Sequence, residues 1–221
     1  ITVTGFREYL RCPYGFWVRH IARLNAPDAK GRELDPRDFG NVVHNVAEAY
    51  ANTRDGNTLS DSDQIFDVLD GLLDDELRRL VGGFPGVAIQ LQREILRGRL
   101  HAFAVFQSTS VLDGWITTAV EQGLKLPLDI PDDVPVMVRG KVDRIDVHPK
   151  HGWRILDLKT SDKGEPPDKT HYSKGSQKWY DLQLPLYREL LLPQLQDKQP
   201  GAVTTGYVVL PADNTNAGLR E

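Results

Sequence analysis

Gly140-Lys141-Val142-Asp143-Arg144-Ile145-Asp146 and, a short turn later, Ile155-Leu156-Asp157-Leu158-Lys159-Thr160 are the most informative stretch of this 221-residue chain. Both runs are rich in aliphatic and β-branched residues, and Pro149 and Gly152 between them are turn formers. The pattern predicts strands over 134–147 and 153–159 joined by a tight hairpin over 149–152. Such a pair brings Asp143 close to Asp157. Asp157 and Lys159 are two apart on a strand, so their side chains leave the same face. Two carboxylates and an ammonium then converge at one sheet edge, and their apolar neighbours Ile155, Leu156 and Leu158 give no reason for them. Hard oxygen donors suit Mg²⁺ or Mn²⁺. Such an ion polarises a phosphoryl oxygen, while a nearby Lys159 orients water or stabilises transition-state charge. A lone D-x-K is common by chance, so the rest of the chain sets its weight.

Working outward, Thr2–Leu24 reads as a short extended start and then a helix with Thr4 as N-cap, kinked or divided by Pro13. A second helix is predicted over Asp38–Thr53, where Phe39, Val42, Val43, Val46 and Tyr50 form one apolar stripe. Further helices are predicted over Asp63–Leu80 and Val87–Leu112, separated by Gly82, Gly83, Pro85 and Gly86. Trp115–Glu121 reads as a strand ending at Glu121, which Lys125–Asp129 extends as part of a hairpin. Beyond Lys159 the sequence predicts a long polar loop over Thr160–Ser176, a helix over Lys178–Leu192 and a last strand over Ala202–Leu210. The order predicts a single α/β domain over residues 1–221: a mainly helical lobe (1–112), a catalytic core (113–210) and a polar tail (211–221). A start at Ile1 and an unfinished end suggest a fragment of a larger protein.

Composition excludes several classes. Charged residues at 26% and hydrophobic ones at 40% describe an ordinary globular chain, and no apolar run reaches membrane-spanning length. One cysteine, Cys12, rules out an intramolecular disulfide and suits a reducing, cytoplasmic setting. Net charge is −4, which argues against indiscriminate coating of nucleic acid. The charge is uneven, however: residues 1–23 carry +3 and 137–180 carry +4, enough for a local groove for a polyanion. Arg7, Arg11, Arg139, Arg144, Lys163, Lys174, Lys178 and Trp179 are the candidates to line it, the tryptophan by stacking on an unpaired base.

Three further residue sets attach to the acids. His44 sits about 100° from Val43 on its helix, off the middle of the apolar stripe, where an imidazole can reach a neighbouring site. Gln183 and Tyr187 are four apart on a helix and share a face. Glu121 closes the strand that precedes the Asp143 strand. Phe39-Gly40-x-x-Val43-His44, Glu121, G-x-x-D-R-x-D at 140–146, D-x-K-T at 157–160 and Q-L-P-L-Y at 183–187 occur in that order. This order resembles the PD-(D/E)XK nuclease superfamily in its RecB-like branch, above all the nuclease domain of AddB-type helicase–nuclease subunits. Cys12-Pro13-Tyr14 resembles the Cys-Pro start of that branch, and the resemblance runs over nearly the whole chain.

The resemblance implies an α/β restriction-endonuclease-like core, with a central mixed β-sheet flanked by helices and an N-terminal helical lobe. It implies that His44, Asp143, Asp157 and the Leu158 carbonyl bind Mg²⁺ or Mn²⁺. Lys159 would be the catalytic lysine, with Glu121, Gln183 and Tyr187 in support. The implied activity is metal-dependent hydrolysis of DNA phosphodiesters, exonuclease-like, in DNA end processing, recombination or repair, beside a helicase subunit or domain and away from membranes. Many relatives also bind a [4Fe–4S] cluster through four cysteines, of which Cys12 matches the first; the rest are absent from this chain, so either they lie beyond its end or this member never had a cluster. Two other readings stand beside this one. One is a catalytically silent DNA-binding or structural module of a helicase–nuclease complex. The other is a metal-dependent enzyme acting on a small phosphate ester.

Overall fold

Pro13 divides the first helix. The computed structural model describes residues 2–24, 33–82, 86–128, 136–161, 165–173, 175–195, 202–211 and 217–221. In it α1 (Val3–Arg11) ends at Cys12, whose extended backbone (φ −158°, ψ 99°) lets Pro13 open α2 (Pro13–Phe16), and a π-helical turn (Trp17–Ile21) follows. Proline suits a helix start because the first N–H groups have no partner anyway. The N-cap is Thr2, whose hydroxyl accepts from the Gly5 N–H, and not Thr4. Asp35 caps α3 (Pro36–Ala51) by accepting from the N–H groups of Arg37 and Asp38. Then come α4 (Ser62–Val81), stopped by Gly82 at φ 57°, and α5 (Val87–Leu112).

β1 (Ile116–Leu128), β2 (Val136–His148) and β3 (Gly152–Lys159) are antiparallel neighbours, with Gly152 at φ 83° closing the β2–β3 turn. β6 (Val203–Val209) runs parallel to β3, and β7 (Gly218–Arg220) runs antiparallel to β6. Together they form one five-stranded sheet in the order β1-β2-β3-β6-β7. This is the α/β architecture expected, a mixed central sheet flanked by helices. Three details differ. β1 does not end at Glu121: it continues to Leu128 because residues 122–128 go on pairing with β2. The 211–221 segment is no mere tail, since Gly218–Arg220 closes the sheet edge. The 160–176 stretch contains α6 (Pro167–His171) and β4 (Tyr172–Ser173).

The helix expected from Lys178 instead begins five residues later. Lys178–Trp179 forms β5 and pairs with β4, and α7 spans Gln183–Leu195. Pro185 sets this limit, because its ring tolerates only the first turn of a helix. Asp181 then serves as the cap, accepting the Gln183 N–H at 2.8 Å.

Alternation along β3 distributes the two cores. Leu156 and Leu158 pack with Val208 under α3, α4 and α5, against residues such as Val43, Leu73 and Phe103. Ile155 lies in the second core, with Val3 of α1 and Leu184, Tyr187 and Leu190 of α7. Asp157 and Lys159 share the Ile155 face, so the sheet presents them to α1 and α7. Gly140 allows this second layer to close down: a Cβ there would sit 2.8 Å from Tyr187 Cε1 and 3.1 Å from Val3 Cγ2.

Candidate active site

Strand pairing brings the acids together. Arg144 faces Leu156 across β2–β3, so Asp143 comes beside Asp157. Asp143 Oδ2 accepts the Leu158 N–H at 2.8 Å, which ties the middle of β2 to the middle of the D-x-K run. Lys159 Nζ lies 2.5 Å from Asp157 Oδ2 and donates to Gln183 Oε1 at 3.1 Å. Gln183 Nε2 donates to Asp157 Oδ1 at 2.5 Å and to the Tyr187 hydroxyl at 3.3 Å. One amide therefore fixes the acid, the lysine and the phenol. Asp157 is 2% exposed, and burial together with the neighbouring Asp143 charge pushes its carboxyl up to about 6. Its Oδ2 is buried and faces the Lys159 ammonium.

A second group adjoins it. His44 Nδ1 lies 3.4 Å from Asp143 Oδ2 and 3.6 Å from Glu121 Oε1. Glu121 falls between the pairs Val120/Arg144 and Gln122/Val142 and so stands opposite Asp143. Its backbone is left-handed (φ 49°), a conformation that costs a non-glycine residue on the order of 1–3 kcal/mol. Lys141 Nζ, two residues from Asp143 on the same strand face, reaches Glu121 Oε2 at 2.5 Å. Burial alone would lower the His44 pKa, but the two carboxylates outweigh it and raise it to about 10. Burial would raise Glu121, yet His44 and Lys141 hold it below the usual carboxylate range.

One nitrogen and two oxygens of His44, Glu121 and Asp143 lie within 4.8 Å of one another, a donor set that fits a divalent cation. The grouping differs from the sequence-based ligand set. Glu121 joins His44 and Asp143, while Asp157 is held by Gln183 and Lys159, and Leu158 is seen to offer its N–H to Asp143.

A cleft of about 680 Å³ opens over both groups, lined among others by Arg7, Arg37, Arg139 and Lys141. Arg7 and Arg139 are among the residues expected on a polyanion path; Arg37 and Lys141 are additions, although Lys141 sits inside the G-K-V-D run. Arg11 lines a neighbouring pocket. Lys178 and the exposed Trp179 form β5 and do not line the cleft, and Trp179 packs against Tyr172 at 5.2 Å. Lys163 and Lys174 fall outside the described residues.

Arg144 is a correction: it faces the interior. It is 4% exposed, bonded to Asp146 at 2.7 Å and to Gln107 at 2.6 Å, and Asp146 also binds Arg154 at 2.8 Å. Asp146 is fully buried and needs both guanidiniums, which removes Arg144 from any DNA path. Tyr207 carries no signal in the sequence. It pairs with Asp157 across β3–β6, and the Lys159 ammonium lies 4.9 Å from its ring centre. Cys12 is exposed, and its sulfur accepts the Gly15 N–H at 3.3 Å. With one cysteine in the sequence, these residues do not fit a four-thiolate cluster.

The family model of the PD-(D/E)XK nuclease superfamily matches residues 1–220. The chain belongs to that superfamily. As a PD-(D/E)XK protein it has curated relatives that share one name, that of a subunit of an ATP-dependent helicase/deoxyribonuclease. The Ruminiclostridium cellulolyticum protein is 28% identical over 90% of this chain. Those of Clostridium acetobutylicum and Staphylococcus haemolyticus are 25% and 24% identical over 87% and 91% of it. The match covers 18%, 17% and 19% of these relatives, so the chain spans less than a fifth of their length. Among the described residues no helix is long and apolar enough to cross a membrane.

Proposed function

We propose that this PD-(D/E)XK domain is a Mg²⁺- or Mn²⁺-dependent deoxyribonuclease that hydrolyses DNA phosphodiesters, with exonuclease-like use of ends, as the nuclease part of a cytoplasmic helicase–nuclease machine. The observation that carries the reading is the convergence of Asp143, tied to the Leu158 N–H, with Asp157 and Lys159, both held by the Gln183 amide, in a cleft lined by arginine and lysine. In this reading His44, Glu121 and Asp143 hold the cation, and Asp157, whose buried Oδ2 faces Lys159, is the further carboxylate, with the Leu158 carbonyl. The ion supplies Lewis acidity to the phosphoryl group and a nucleophile at neutral pH. Lys159 supplies a fixed positive charge where negative charge grows in the transition state. Gln183 and Tyr187 keep that lysine aimed, and Arg7, Arg37 and Arg139 bind the strand through its phosphates. The relatives' names supply the support for DNA and for a helicase partner.

The test uses end-labelled linear single- and double-stranded DNA with Mn²⁺, Mg²⁺ or EDTA, comparing wild type with Asp157→Ala and Lys159→Ala. Metal-dependent cleavage lost in both variants is the expected result, and the ladder of products separates exonuclease from endonuclease action. Cleavage that persists in both variants would overturn the assignment. A wild type that binds Mn²⁺ and DNA without cleaving is the result expected of a silent DNA-binding module.

A further inference from the structure

Beside the cleft lies a second polar pocket of about 250 Å³, which shares Arg7 and Lys159 with it. Its cations are Arg7, Arg11, Lys159 and Lys169; its carboxylates are Glu165 and Asp181. Arg7 and Arg11 are four apart on α1 and leave one face of that helix. Lys169 comes from α6, a segment whose sequence reads as loop.

The end of α6 is fixed from behind. His171 Nδ1 lies 2.7 Å from the Asp181 carbonyl, which only accepts, so Nδ1 donates there, and Nε2 is hydrogen-bonded to the Tyr207 hydroxyl at 3.0 Å. All three contact groups are buried, and Tyr207 in turn faces the Lys159 ammonium. The pocket wall is thus tied to the same residues that position the lysine.

Its charge favours an anion. Asp181 is already occupied, capping Gln183 and facing Arg7 at 3.4 Å, and Lys159 is paired with Asp157, so the charges left over are two cations, Arg11 and Lys169, against one carboxylate, Glu165. Arg7 and Lys159 line both spaces, so an anion here adjoins the acids of the cleft. A small phosphate ester has no second phosphate to place there, whereas a polynucleotide always does.

We propose that this pocket is the subsite for the phosphate adjacent to the one being hydrolysed, with Arg11 and Lys169 as its binding charges. The inference rests on the nuclease reading and makes the preferred substrate a polynucleotide strand.

Two measurements test it. In the first, oligodeoxynucleotides carry an uncharged methylphosphonate one linkage 5′ or one linkage 3′ of the cleaved bond, and cleavage is followed for wild type and for Arg11→Gln/Lys169→Gln. At one of the two positions the neutral linkage raises the wild-type KM by on the order of tenfold, the scale of one charge-assisted contact. The double variant shows a similar rise with all-phosphate DNA and is then insensitive to that linkage. In the second, single-strand affinity is measured against salt in EDTA. The double variant lowers the slope of log K against log salt by about 0.7 for the phosphate lost, while Lys150→Gln, on the β2–β3 turn, leaves it unchanged. Independent effects of variant and neutral linkage at both positions, or an unchanged slope, would overturn the subsite. Absence of metal-dependent cleavage by wild type would instead count against the nuclease reading, and the salt slope would still judge the pocket.

Discussion

Glu121 stands across the β1–β2 ladder from Asp143, and the His44 ring lies between their carboxylates at 3.6 and 3.4 Å. Like charges directly opposite in a sheet repel, so the arrangement needs a cation between them. Without metal, the imidazolium itself fills that role, because the acids raise the His44 pKa to about 10.

Metal binding must therefore expel a proton. Calorimetric titration of Mn²⁺ at pH 7.5 in buffers of different ionisation enthalpy is expected to show release of close to one proton per ion. Glu121→Gln is expected to weaken Mn²⁺ by about tenfold or more, a scale that even outer partners of a metal reach. Equal affinity in wild type and variant would remove Glu121 from the ligand set.

The same histidine gives metal-free protein a defined pH response. Its folded pKa lies above the unfolded value of 6.5, so its stabilising contribution is complete below pH 6.5 and fades as pH rises toward 10. In EDTA, wild type should lose stability relative to His44→Gln across that window. A constant gap between the two melting curves would contradict the ion cluster.

Gln183 holds Asp157, Lys159 and Tyr187 at once. Gln183→Ala is expected to keep the fold and lower kcat by on the order of a hundredfold, since small misplacements of reacting groups cost that much. For Tyr207 the ring face is what meets Lys159. Tyr207→Phe should retain most of kcat and Tyr207→Leu should not; equal losses in both would point to the hydroxyl instead.

Asp146 is a stability determinant without a part in the chemistry. Burial raises its pKa, but Arg144 and Arg154 more than offset this and hold it below the usual range. Asp146→Asn should cost about 3–5 kcal/mol near neutral pH, as for other buried pairs that lose one partner. Because the folded pKa is depressed, that advantage is full above about pH 4 and shrinks as pH falls further. Urea melts at pH 7 and pH 3 would show the gap narrowing.

Gly140→Ala forces a methyl against the Tyr187 ring and Val3. Overpacking of this sort costs about 1–3 kcal/mol, and Val3→Ala in the same chain should recover part of it in a thermal melt.

What the sequence made legible follows from the range over which each feature acts. The β2–β3 hairpin, the Asp157–Lys159 spacing and the α3 stripe are local, and they lie where period and turn residues place them. Glu121 is locatable from its strand but its setting is not, because the length of β1 depends on pairing of residues 122–128 with residues 136–142 of β2. Arg144 is misplaced by local pattern for a similar reason. Its burial depends on Gln107 and Phe106 of α5, partners that no local pattern joins to it. Tyr207 reaches Lys159 only through the parallel β3–β6 register, set across a crossover of more than forty residues. Pro185, by contrast, is a readable signal for a later start of α7.

The left-handed backbone at Glu121 has a practical consequence for anyone who would harden this protein against heat. Glycine adopts that conformation freely, but Glu121→Gly would also remove the carboxylate that His44 and Lys141 hold. Relief of backbone strain and loss of these ion pairs oppose each other in a thermal melt. On the assignment made above the variant would also discard a donor of the cation site, so a library sorted for survival at high temperature needs a second sort on turnover to keep the acid.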